Sequence, residues 1–149
     1  MTPGEGLTPS RQLPVVLFCI AAAGMLISTY LTFAHYQVSA LVCTTGGIVD
    51  CGAVTSSSYS VVAGIPLALG GLAWFAVSAA LALTPLRLHA EPGWLKPAHV
   101  AWGLVGLVFA LYLVWVELVV VHRVCEWCTA THILVLLTVV VALRRLQEA

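Results

Sequence analysis

Four long runs of apolar residues, almost free of charge, constrain this chain more than any other feature. They cover about residues 13–33, 65–83, 99–121 and 129–143, and Glu117 alone interrupts the third. A helix needs about 20 apolar residues to cross hydrocarbon. Backbone polar groups find no water there and must bond within the helix itself. The fourth run is short, and Cys125 to Cys128 extend it into the interface. With 61% apolar and 8% charged residues, the chain cannot clothe a water-soluble surface, for which about 25% charge is usual. These runs predict an all-α membrane protein: a four-transmembrane-helix bundle with a short helix in the first outer loop. One domain is expected over residues 13–143, between a flexible cytoplasmic tail at 1–12 and a short one at 144–149. The first run is too long for a signal-peptide core and lacks a clear A-x-A site, so it is read as a retained helix. Zero net charge implies no nucleic-acid partner, and lipid is the surrounding medium.

Basic residues set the orientation. Arg11, Arg87, Lys96, Arg144 and Arg145 fall on one side of the predicted bundle, and Arg123 falls alone on the other. Both termini are therefore expected in the cytoplasm. The loops bearing Cys43, Cys51, Cys125 and Cys128 then face outward, into a compartment where disulfides persist. The first of these loops, 35–64, is the longest. It divides into an irregular part at 42–53 and a short helix at about 57–63, which Thr55 or Ser56 can cap. Gly64-Ile65-Pro66 ends that helix and starts the second span. The inner loop, 85–97, reads as a plain connector. Gly24, Gly70, Gly71, Gly103 and Gly106 read as sites of close helix packing.

Cys125-Glu126-Trp127-Cys128 is a C-x-x-C pair, and Cys43 and Cys51 lie in the other outward loop. Three chemistries compete for these residues. Two structural disulfides are possible, but a bridge across a C-x-x-C closes a tiny loop and removes little chain entropy. A four-cysteine metal site is weakened by the loose seven-residue spacing of the first pair, so no metal is assigned. The third is a relay in which one pair exchanges with an external dithiol and the other passes two electrons to an acceptor in the bilayer. A C-x-x-C at a helix start suits this, because the helix end stabilises a thiolate. Cys128, at the start of the last span, is the cysteine expected to feel that effect.

The combined pattern is similar to the vitamin K epoxide reductase family in its bacterial form. It comprises Cys43, Cys51, the segment Val54-Thr55-Ser56-Ser57-Ser58-Tyr59, Gly64-Ile65-Pro66, and Cys125-x-x-Cys128 opening the last span. The likeness covers about residues 13–143. In DsbB-type enzymes the C-x-x-C sits in the first outer loop; here it sits in the second. The resemblance implies a four-helix bundle around a quinone, menaquinone or ubiquinone, in the bacterial cytoplasmic (inner) membrane. It implies that Cys125 and Cys128 are the active-site pair, with Cys128 nearest the quinone. It also implies that Cys43 meets the thiol partner, that Cys51 attacks Cys125, and that Ser57 lies near the quinone. The chain is expected to stand alone, without a fused thioredoxin-like domain, so a separate DsbA-like protein is the implied donor.

Two positions depart from the animal enzymes, which carry an asparagine near Pro66 and a tyrosine at His132. Quinone reduction thus fits better than epoxide reduction, which stays as an alternative beside a non-enzymatic scaffold or metal carrier with static cysteines. His132 lies four residues after Cys128, on the same helix face. It suits either a quinone contact or a polar contact between helices. Glu117, the only acid inside a span, is expected either to shuttle quinone protons or, the reading slightly favoured, to reach the outer interface beside His122 or Arg123. Cys19, deep in the first span, is expected as a small buried apolar residue without a role. Asp50 either raises the pKa of the adjacent Cys51 or faces water.

Overall fold

The computed structural model describes residues 9–44, 46–88 and 91–148. Four helices are long and apolar enough to cross a membrane. They are α1 (Pro9–Tyr36), α3 (Leu67–Arg87), α4 (Leu95–Trp115, continued by a π-helical segment Val116–Val121) and α5 (Glu126–Gln147). The short α2 (Cys51–Thr55) lies in the first loop. Helix α1 packs on α3 and α5, and α4 packs on α5. Residues 1–8 of the expected N-terminal tail lie outside the described residues, whereas 9–12 already belong to α1. At the other end, α5 runs on through Arg144 and Arg145 to Gln147.

Small residues and rings set the helix spacing. A Cβ on Gly24 would run into the Phe75 ring, and one on Gly106 into the Trp74 indole. One on Gly103 would stand 3.1 Å from Val139 Cγ2. Gly70 differs from the expectation of close packing, since a Cβ there meets nothing within 4 Å. Trp74 and Trp102 pin α3 to α4: each indole N–H donates to the other's backbone carbonyl, at 3.3 and 3.2 Å, with the rings stacked. Phe75 is 1% exposed, so Gly24→Ala overpacks a filled contact at a cost of about 1–3 kcal/mol. Thermal unfolding in detergent should show a lowered midpoint for Gly24→Ala and none for Gly70→Ala.

At the end opposite the cysteines, buried Arg145 pairs with Glu91, and Lys96 Nζ donates to the Glu148 carbonyl at 3.4 Å. These contacts tie the α3–α4 connection to the end of α5.

The first loop departs from the expected helix at 57–63. Helix α2 forms earlier because Asp50 caps it, its carboxylate accepting the Ala53 N–H at 2.9 Å. Asp50 is thus half-buried, with one carboxylate oxygen committed to the helix cap. After a single 3₁₀ turn (Ser58–Ser60), β1 (Val61–Val62) pairs antiparallel with β2 (Ile65–Pro66). Ala63 and Gly64, at φ 52° and 81°, form the two-residue turn between them. Valine and isoleucine favour the extended chain, and this overrides a helix at 61–63. Pro66 then precedes the first turn of α3 in extended geometry.

Candidate redox site

Both cysteine loops meet at one end of the bundle. The Val124 N–H donates to the Ile48 carbonyl at 2.9 Å, and the Asp50 N–H donates to the Val124 carbonyl at 3.0 Å. This short parallel bridge joins the residue before Cys51 to the residue before Cys125. Arg123 reinforces it by donating to the Gly47 carbonyl at 2.8 Å. Cys51 and Cys125 are both fully buried behind the bridge.

Cys43 and Cys51 form a disulfide, with Cα atoms 6.2 Å apart. Cys51 has no exposed surface, whereas Cys43 is half-buried. Cys125 and Cys128 are free thiols. Cys125 is the N-cap of α5, and its sulfur accepts the Cys128 N–H at 3.2 Å. The helix end therefore acts on Cys125 rather than on Cys128, because the extended backbone of Cys125 places its sulfur over the first turn. A hydrogen bond from the Cys128 thiol holds the Cys125 thiol below its ordinary pKa, helped by the N–H groups of Cys128 and Trp127. Burial and the nearby Glu117 oppose this without reversing it.

A lowered pKa means that the Cys125 thiolate is present at lower pH than an ordinary cysteine thiolate. In protein carrying Cys19→Ala, Cys43→Ser and Cys51→Ser, thiolate absorbance should rise below the ordinary thiol range. Adding Cys128→Ala removes the main stabilising donor and should move that rise to higher pH. An unchanged midpoint would contradict the assigned cause.

Glu117 does not reach the interface. The π-helical segment widens the end of α4 and turns this side chain inward, where it is 6% exposed. Its Oε2 accepts the Cys125 N–H at 3.4 Å, giving the buried backbone donor a partner. Cys19, expected to be buried, is exposed on α1.

Next to the thiols lies a cavity of about 700 Å³, lined mainly by apolar side chains such as Leu31, Phe75, Phe109 and Val135. Its polar lining includes Ser57, Glu117, Cys128, Thr131 and His132. The Ser57 hydroxyl donates to the Val54 carbonyl at 2.8 Å and so keeps oxygen lone pairs available. His132 Nδ1 is buried and has no hydrogen-bond partner among the described residues, an orphan of the kind a polar ligand satisfies. An apolar slot with a few convergent polar groups fits a flat, lipid-soluble ring that bears carbonyl oxygens. Ser57, Cys128 and His132 thus share one cavity, and Cys43, Cys51 and Cys125 lie in the loops beside it.

Sequence reasoning overlooked Glu126 and Trp127, the spacer of the C-x-x-C. The indole of Trp127 and the carboxylate of Glu126 reach across to the backbone on either side of Cys43. Their only signal in the sequence is their position between two cysteines.

A C-x-x-C whose first cysteine is buried beside a disulfide loop, at one end of four apolar helices, is the arrangement of a membrane-embedded oxidoreductase. A model of the vitamin K epoxide reductase family matches residues 15–143 of the 149, and the chain belongs to that family.

Proposed function

We propose that this protein is a thiol:quinone oxidoreductase that reoxidises a DsbA-like protein and so supports disulfide formation outside the cytoplasm. The observation that carries this reading is the pairing of Ile48 and Asp50 with Val124, which sets Cys51 beside the Cys125 loop while Cys128 lines the cavity. In this reading the protein sits in a bacterial cytoplasmic membrane, with both termini in the cytoplasm and all four thiols outward.

Electrons enter at Cys43, the sulfur of its pair that solvent can reach. A partner thiolate attacks Cys43, and Cys51 leaves; the partner's second thiol then releases Cys43 and takes away a disulfide. The two electrons now reside on Cys43 and Cys51. Cys51 attacks Cys125 of an oxidised Cys125–Cys128 pair, and Cys128 leaves. Cys43 next attacks Cys51, restoring the outer disulfide and freeing Cys125. A quinone, menaquinone or ubiquinone, supplies a two-electron, two-proton sink. Cys125 and Cys128 give up two electrons and two protons as their disulfide closes. His132 is the group we assign to a ring oxygen, and Ser57, whose hydrogen goes to the Val54 carbonyl, would accept from a quinol hydroxyl.

The test is a coupled assay in detergent. Purified protein is mixed with a reduced periplasmic thioredoxin-fold oxidase and a soluble quinone. Quinol and oxidised partner should appear in equal amounts, while vitamin K epoxide is left unconsumed. Epoxide consumption without partner oxidation would favour the family's other chemistry and overturn this assignment.

A further inference from the structure

Residues 42–44 carry Cys43, yet no backbone-to-backbone hydrogen bond holds them among the described residues. Side chains do so instead. Trp127 Nε1 donates to the Val42 carbonyl at 2.7 Å, and Glu126 Oε1 accepts the Thr44 N–H at 3.0 Å. The Tyr30 hydroxyl accepts the Val42 N–H at 2.8 Å and donates to the Ala40 carbonyl at 3.2 Å. Its ring meets that of Trp127 edge to face, with centroids 5.0 Å apart. A carboxylate oxygen of Glu126 and the sulfurs of Cys43 and Cys51 all lie within 4.8 Å of one another. Cys51, by contrast, is fixed by the start of α2 and by the bridge to Val124. One sulfur of the outer pair therefore stands on backbone structure, and the other is held by the spacer of the inner pair.

We propose that Glu126 and Trp127 are positioning residues that hold Cys43 against Cys51 and thereby set how readily the Cys43–Cys51 disulfide opens. This rests on the reading of Cys43 and Cys51 as a cycling pair. A held thiol sees its partner at high effective concentration, which favours the closed disulfide; a loosened one does not. Each reduction breaks the Cys43–Cys51 bond and leaves two thiols. Dithiothreitol supplies both electrons and both protons and closes into its own cyclic disulfide.

The experiment equilibrates the protein with dithiothreitol redox buffers and counts free thiols by alkylation and mass shift. A Cys125→Ser/Cys128→Ser background leaves Cys43 and Cys51 as the titrating pair and keeps an oxygen cap on α5. Trp127→Phe and Glu126→Ala should each shift the equilibrium toward the dithiol by about tenfold, which is about 30 mV for two electrons. Tyr30→Phe, distant in sequence from the inner pair, should shift it the same way. Glu126→Gln should stay close to the parent, because its amide oxygen still accepts the Thr44 N–H. Trp127→Phe and Glu126→Ala midpoints identical to the parent's would overturn the positioning role, whatever Tyr30→Phe does. So would a Glu126→Gln shift as large as that of Glu126→Ala. A parent disulfide that dithiothreitol never opens would instead overturn the cycling reading itself.

Discussion

Replacing Cys128 with serine stops quinone reduction, and adding Cys43→Ser traps the protein with Cys51 joined to Cys125. Cys128 is the thiol of the inner pair that lines the cavity, and the inner disulfide cannot form without it. A loss on the order of a thousandfold or more is the scale seen when one member of a covalent catalytic unit is removed. Serine keeps the size of the site and the start of α5, so the loss is chemical rather than structural. The trapped bond is the more specific result. Under oxidising conditions Cys51 and Cys125 join in the double variant, and neither Cys43 nor Cys128 is there to displace the bond. Peptide mapping should find the Cys51–Cys125 bond in this variant and not in the parent. Full turnover by Cys128→Ser would refute the relay.

Filling the cavity gives the second large effect, and it separates the two half-reactions. Gly70 lines the cavity, and a Cβ there meets nothing within 4 Å. Gly70→Trp therefore starts from an uncrowded Cβ and adds an indole to the cavity wall. A pocket that loses fit for even one small group discriminates by about tenfold or more, and an indole is far larger. The KM for quinone should rise by at least that factor. Exchange between the partner and Cys43 should keep its parent rate, since Cys43 and Cys51 are held by other contacts. An equal loss in both half-reactions would place the acceptor elsewhere.

The four spans are legible in the sequence because hydropathy and length suffice to mark a helix in lipid. The cysteines are legible because C-x-x-C next to an apolar run is uncommon. Local chemistry competes at finer scale. Asp50 outcompetes Thr55 and Ser56 as a cap, and Val61, Val62 and Ile65 form a two-residue hairpin where a helix was expected. Glu117 looks like an interface residue by its distance from the span end. A π-helical turn, which no simple periodicity announces, brings it to the Cys125 N–H. Glycine counts do not tell that Gly24 and Gly106 face rings whereas Gly70 faces open space. The grip of Glu126 and Trp127 on residues 42–44 links positions 82 and 85 residues apart. Only the folded chain brings those partners together.

Anaerobic single turnover of fully reduced protein with one equivalent of quinone, scored by which cysteines resist alkylation, is the most direct test. The relay predicts one quinol formed per protein and a new Cys125–Cys128 disulfide before Cys43 or Cys51 is protected. Quinol formed while Cys125 and Cys128 both remain open to alkylation would contradict it.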